Sequence, residues 1–394
     1  MTRFPYFLLF AHLRRNWFRA ALTFASVLVA LLIFGLLRTC VESLEITVQA
    51  GNSSRLVTQS SISLFKDLPR KMADEVKEVR GVKASTHLTW FGGTWISVEH
   101  FFARFAVPPE DFRAVYGTGD SADIFLSEDP AENERLWKAF SENRTGCLIG
   151  AALAKERGFE IGTRIPLVGS IFPGTYELDV VGIYRSKNPA FDESTLWFQW
   201  DYMNEVSKRN GGEADVIGVV VSLLHSPEDA GRVTEEIDAM YRNSAYRTRT
   251  QTERAFQAQF ASMWGGMPTF FNFLALVAIA ASFVVTLNTM LLNYRERVKE
   301  SGVLKTLGFG DGTVLALTLF ESVFLCALAG AIVAPIILSM HKAVVPGINL
   351  PLYVAPESAA AIFGLGLLMG LAAGVFPARQ SAKLKIIDAL RSRA

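Results

Sequence analysis

Four long apolar stretches decide what this chain can fold into. Crossing the hydrocarbon core of a bilayer takes about 20 mostly apolar helical residues, because no backbone group can be left unpaired in lipid. Residues 20–37 carry no charge and are flanked by Arg19 and Arg38. Residues 268–292 are charge-free over 25 positions, 312–340 hold one charge, Glu321, and 358–378 are charge-free over 21. The interval 41–265 is charged and broken by turn signals. The pattern predicts four transmembrane helices with one large domain inserted between the first and the second. A cleaved signal peptide competes for the first stretch, since Arg14, Arg15 and Arg19 precede it. Its length, and the want of a small-residue cleavage site after Leu37, favour a retained span.

Composition agrees. Half of the 394 residues are hydrophobic and the mean hydropathy is +0.26. The formal net charge of +1 supplies no basic field for nucleic acid, so no nucleic-acid partner is expected. Cys40, Cys147 and Cys326 form no CxxC pair, which argues against a metal site or a disulfide framework. His87 and His100 are near enough in sequence to meet in space, but ordinary core or surface roles account for all five histidines. No GxxxxGK[ST] loop occurs, so no catalytic residue, metal or bound nucleotide is assigned to these residues.

Lys and Arg in short flanks set orientation. Arg3, Arg14, Arg15 and Arg19 precede the first span. Arg295, Arg297, Lys299 and Lys305 lie between the second and third, and Arg379, Lys383, Lys385, Arg391 and Arg393 follow the fourth. The 341–357 loop has only Lys342. Both termini and the 293–312 loop are therefore expected inside, and 41–265 outside. The expected segments are a cytoplasmic amphipathic helix 1–19, spans 20–40, 266–293, 311–340 and 358–378, an exported domain 41–265, a cytoplasmic helix 294–310, a short outer loop 341–357 and a tail 379–394.

Within the exported domain, strand signals at 56–58, 83–90 and 216–223 alternate with helical patterns at 71–79 and 227–241, the last capped by Ser226. Between these pieces, 147–150, 162–167 and 176–183 read as strands and 151–158 as a short helix, with Gly- and Pro-rich turns. The expected fold is thus a four-helix membrane protein with a large α+β extracytoplasmic domain: a split α/β subdomain with a β-rich subdomain inserted.

The loop NYRERVKESGVLKTLGFGDG is the most informative segment. It continues the second span as a helix with apolar Val298, Val303, Leu304 and Leu307 among charged Arg295, Glu296, Lys299, Glu300 and Lys305. Gly308 and Gly310 break it, and Asp311 is placed to cap the third span. A bare charged turn has no need of that apolar face, so the segment reads as a docking element able to push or pull two spans.

These residues carry a family likeness. Glu300-Ser301-Gly302-Val303-Leu304-Lys305-Thr306-Leu307-Gly308 resembles the E-I-G-x-L-R-A-L-G signature of the MacB/FtsX family of ABC-transporter permeases, which includes the lipoprotein-releasing permeases. Pro377-Ala378-Arg379-Gln380-Ser381-Ala382-Lys383-Leu384 followed by Asp388-Ala389-Leu390-Arg391 resembles the family tail, with Ile386-Ile387 where a Pro is common. The basic segment 10–19 resembles the family's interfacial helix, and CLIGAALAKERGFEIGTRIPL its periplasmic core.

The resemblance implies a type VII arrangement in the bacterial inner membrane. Two permease subunits, identical or paralogous, would each bind a cytoplasmic ABC ATPase that holds ATP and Mg. The spans would relay motion outward without substrate crossing the bilayer, by mechanotransmission. Glu296, Lys299, Glu300, Gly302, Val303, Leu304, Leu307 and Gly308 would form the coupling helix. Lipoprotein release, lipid extraction, and peptide or drug efflux with a periplasmic adaptor are the candidate roles. An FtsX-like regulator of a cell-wall hydrolase is the alternative, and a membrane-anchored enzyme or receptor a third class.

Three further features stand out. Gly366, Gly370 and Gly374 recur every four residues, which presents one small-residue face for helix packing. Glu321 is a carboxylate inside a span, and such groups default to a functional or pairing role. Phe270, Phe271 and Phe273 open the second span as an aromatic belt or, by the resemblance, a substrate entry surface among membrane lipids.

Overall fold

The computed structural model describes residues 17–384 except 50, 98–99, 120–121, 189–190, 263–264, 297, 342 and 346–349. The chain divides into two compact units. One comprises Met1–Ser43, Trp264–Val345 and Leu350–Ala394, the other Leu44–Met263 with Pro346–Asn349. Most of the basic segment 10–19 expected as an interfacial helix, and the Asp388–Arg391 part of the tail motif, lie outside the described residues.

The first helix, α1 (Trp17–Gln49), has 33 residues and so runs roughly 50 Å at 1.5 Å per residue. That exceeds a hydrocarbon core of about 30 Å. Its apolar portion, Trp17–Ser43, is the part long and apolar enough to cross a bilayer.

The inserted unit follows. In chain order it holds β1 (Arg55–Ser60), β2 (Leu68–Pro69), α2 (Lys71–Lys77), β3 (Val82–Trp90), β4 (Arg104–Val107), α3 (Pro109–Tyr116), β5 (Ile124–Phe125) and α4 (Pro130–Glu142). It continues with β6 (Gly146–Gly150), α5 (Ala151–Arg157), β7 (Arg164–Gly169), β8 (Gly174–Ser186), β9 (Leu196–Gln199) and α6 (Trp200–Arg209). It closes with β10 (Val216–Ile217), β11 (Val219–Leu224), α7 (Ala230–Tyr241), β12 (Thr248–Thr252) and α8 (Glu253–Ser262).

Ten strands make one sheet in the order β12-β1-β11-β3-β4-β9-β6-β8-β5, with β7 on β8. Its antiparallel half, β12-β1-β11-β3, draws on both ends of the unit's sequence, and the rest comes from the middle. The two parts meet where β3 pairs β4 through Thr89↔Ala106 and Trp90↔Phe105. The middle part is richer in helix than its turn-dense sequence suggests. The α4 start, not anticipated, is a capped one: the Asp129 carboxylate accepts from Ala131 N at 3.1 Å ahead of Pro130. Ser226 does cap, accepting from Glu228 N at 3.3 Å, but through a 3-10 turn ahead of α7.

Strand side chains alternate faces, and the core divides accordingly. Leu56, Cys147, Ile149, Leu196 and Phe198 join one cluster with α2, α5, α6 and α7. Their neighbours Val57, Leu148 and Trp197 join the other with α3 and α4. Burial pushes the Cys147 thiol well above its ordinary range, so it is an inert packing group.

Arg55 pins the two ends of this unit. Its side chain has no exposed surface, pairs with Asp123 and with Glu253 at 3.4 Å, and lies over the Tyr116 ring at 4.7 Å. Asn52 N donates to the Glu253 carboxylate at 3.1 Å, and Arg254 donates to the Gln49 carbonyl at 2.7 Å. The segment leaving α1 and the start of α8 are thereby held side by side.

His87 and His100 do not pair. His87 is buried edge-on to Trp200 at 5.1 Å, whereas His100 bonds Ser97 and meets Trp95. Burial, with Arg70 nearby, pushes the His87 imidazole down to about 3. An unfolded histidine takes its proton near pH 6.5. Between pH 6.5 and 3 the unfolded chain therefore binds a proton that the folded chain refuses. Stability present above pH 6.5 is lost as pH falls. Lowering pH from 7 to 5.5 is expected to cost about 1 kcal/mol through this group. Trp fluorescence during thermal unfolding of the detergent-solubilised chain measures it, and His87→Phe is expected to flatten that pH dependence.

Candidate functional site

The second unit adds α9 (Met267–Glu296), α10 (Val298–Thr306), α11 (Asp311–Ser339), the hairpin β13 (Val344–Val345) and β14 (Leu350–Pro351), and α12 (Pro356–Lys383). With α1, the helices α9, α11 and α12 are the four, among the described residues, long and apolar enough to cross a membrane. The short α10 lies between two of them.

Gly366, Gly370 and Gly374 line the seam between α12 and α11. A Cβ on Gly370 would fall 2.7 Å from the Val323 Cα, one on Gly366 2.8 Å from the Cys326 carbonyl, and one on Gly374 2.8 Å from the Ser322 Cβ. Backbone therefore lies against backbone, and the Ser322 hydroxyl donates to the Gly370 carbonyl at 2.8 Å. Gly35 of α1 is similarly tight against Ile337 and Ile362.

The end of α10 follows from its sequence. Gly308 takes a left-handed φ of +89°. Phe309 N donates to Leu304 O at 3.1 Å and Gly308 N to Lys305 O at 3.1 Å, the paired bonds of a Schellman turn. The expectation that Asp311 caps α11 is corrected. Gly310 is the N-cap, with extended backbone, and Asp311 is the first helical residue. Its carboxylate instead lies 2.7 Å from Lys305 Nζ.

The expected coupling residues separate into two sets. Leu307 is 69% exposed and Val303 48%, and Gly308 is exposed with them. Positions 303 and 307 are one helical turn apart and share a face. Gly302 is buried, and Glu300 and Leu304 turn inward to line a cavity. Glu296 ends α9 and pairs with Arg19 of α1. Lys299 lies within α10, its side chain outside the described ones.

The inward set meets a small cavity of about 20 Å³, room for roughly one water. Asn293, Glu300, Ser301, Glu321 and Ser381 are among its lining. Glu321 is thus a buried group of this cavity, three turns into α11. Asn293, which is 8% exposed, is not among the expected site residues, and Lys305, expected only as a basic residue of the loop, has its side chain 8% exposed between helix ends. Phe270 and Phe273 are exposed on α9, and Phe271 is half-buried. Among the described residues no cluster of three or more His, Cys, Asp or Glu could hold a metal.

Comparison with known proteins gives this geometry a family. Residues 23–240 match the model of the MacB-like periplasmic core domain, and residues 272–386 that of the FtsX-like permease C-terminal region. The chain therefore belongs to the MacB/FtsX family of ABC-transporter permeases, multi-pass membrane proteins whose membership implies an ABC ATPase partner.

An ABC transporter permease of Methanocaldococcus jannaschii is 26% identical over 338 residues, 82% of this chain and 79% of that one. The macrolide export ATP-binding/permease protein MacB of Neisseria gonorrhoeae is 25% identical over 232 residues, 57% of this chain. That match spans 35% of MacB's own length. The periplasmic region of MacB from Actinobacillus actinomycetemcomitans superposes with a TM-score of 0.36 at 9% identity, covering 54% of this chain and 95% of that one.

The glycine seam makes a sharp prediction. Gly370→Val puts a side chain into the Val323 backbone and is expected to destabilise by about 1–3 kcal/mol or more. Gly364→Ala, which meets open space, is expected to be neutral. Thermal unfolding of the two solubilised variants tests the difference.

Proposed function

We propose that this chain is the permease subunit of an ABC complex in the bacterial inner membrane, with both termini and α10 on the cytoplasmic side. An ABC ATPase docks on α10, and ATP-driven motion passes through the spans to the inserted domain on the outer side. The observation that carries this reading is the exposed Val303–Leu307 stripe, formed by the nine-residue helix α10 and the residue that follows it, between two spans. Val303 and Leu307 stand one turn apart, a small apolar face that a partner surface can cover. The Lys and Arg bias of the flanks supports the orientation.

On this reading the chain is not itself catalytic. ATP and Mg are bound by the ATPase, since no GxxxxGK[ST] loop occurs in these residues. A second permease, identical or paralogous, completes the membrane part. The apolar surface of α9, including Phe273, Leu276 and Val284, supports a partner helix or lipid there. Substrates are lipoproteins, lipids, peptides or drugs met from the outer leaflet, with Phe270, Phe271 and Phe273 as an entry surface. A periplasmic adaptor or a lipoprotein is the expected outer partner. Recovery of a cell-wall hydrolase instead would favour the regulatory alternative.

The test is pull-down of the tagged full chain with mass spectrometry. An ABC-type ATPase is expected to copurify with the wild type. Val303→Asp with Leu307→Asp is expected to lower its recovery tenfold or more, the scale of losing an interface anchor, while the chain still inserts. Undiminished ATPase recovery by the double variant would count against docking on this face.

A further inference from the structure

The ammonium group of Lys305 is held by three oxygens from two other helix ends. It donates to the carbonyls of Ala382 at 2.6 Å and Leu384 at 2.8 Å, and it lies 2.7 Å from the Asp311 carboxylate. The side chain is 8% exposed. Three protons meet three acceptors, so the group is saturated.

What it fastens is the C-terminal end of α12. A helix leaves its last carbonyls without internal partners, and these are commonly taken up by a left-handed glycine. At the end of α12 stands Leu384 instead, extended at φ −63° and ψ 125°. Lys305 supplies the missing donor from another helix, with its charge at the negative end of the α12 dipole. The Asp311 carboxylate is 74% exposed and adds little by comparison. The Arg19–Glu296 pair is likewise exposed on both sides.

Chain connectivity shows why this tie matters. α9 and α11 follow α10 through the chain itself, across residue 297 and the turn 307–310. α12 is joined to α10 through the chain only by way of α11 and residues 340–355, and its last turn lies beyond the glycine seam, where Lys305 joins the two directly. We propose that Lys305 is a positioning residue that makes α12 move with α10. Displacement of the docking helix then pulls the fourth span together with the second and third. This rests on the reading of α10 as the docking helix, but Lys305 does not itself dock: its side chain is turned in against the end of α12, whereas Val303 and Leu307 are exposed.

Hydrogen exchange by mass spectrometry, on the full chain with its copurified ABC ATPase, tests the tie. Spectra are compared with and without a non-hydrolysable ATP analogue and Mg. In the wild type and in Lys305→Arg, nucleotide is expected to change exchange in both 298–306 and 376–384. Lys305→Met is expected to keep ATPase recovery and the response in 298–306, but to lose the response in 376–384. Its basal exchange in that last turn is expected to rise about tenfold or more. Asp311→Asn is expected to behave as wild type.

A Lys305→Met response in 376–384 equal to wild type overturns the proposal. So does loss of ATPase recovery in that variant, or failure of Lys305→Arg to restore the response. A wild type that shows no nucleotide response in 298–306 brings down the docking reading and this proposal together. A defect confined to 376–384 in Lys305→Met cannot arise that way, so the two failures are separable.

Discussion

Everything in the membrane unit depends on how closely α11 and α12 approach. Lipid tails are as apolar as leucine, so no hydrophobic gain draws two spans together there. What remains is van der Waals contact and hydrogen bonding, and both need the backbones near each other. Gly366, Gly370 and Gly374 allow that approach, and the Ser322 hydroxyl exploits it by reaching the Gly370 carbonyl. A methyl group at any of the three would force the seam open. Because the seam fixes α12 against α11, it also brings the last turn of α12 beside the first turn of α11. That is where Lys305 finds its acceptors.

The two units use buried charge in the same manner. In the inserted domain Arg55 is wholly buried yet has two carboxylates and an aromatic face. In the membrane unit Lys305 is nearly buried and has two carbonyls and a carboxylate. Each cation joins segments distant in sequence. Removing a carboxylate from Arg55 strands a charge in a low-dielectric setting, which costs far more than breaking an exposed pair such as Lys305–Asp311. Arg55 holds the entry and exit of the inserted domain together, and Lys305 holds α10 to the end of α12, which it does not adjoin in the chain.

Much of this was legible in the residues. The spans announced themselves because twenty apolar residues have few alternatives, and Gly308 marked the end of α10 because only glycine takes φ near +89° without strain. The strands at 147–150 and 176–183 were legible from their apolar content between turns. The start of α4 was missed although Asp129-Pro130 is a cap signal, and Asp311 was misassigned because an acidic residue at a helix start serves the first turn as readily as the cap. Within α10, spacing alone made Leu304 and Leu307 equivalent. Only the packing showed that Leu304 faces the cavity and Leu307 faces out.

By itself the sequence determined the number of spans, the place of the insertion and the family, since these follow from local hydropathy, charge and short motifs. The tertiary structure alone decided which face of α10 is free, that one sheet runs through both parts of the inserted domain, and that Lys305 caps α12. The physical reason is common to all three. Local patterns record what a residue prefers, whereas a helix end 77 residues away becomes an acceptor for Lys305 Nζ only after the glycine seam has closed.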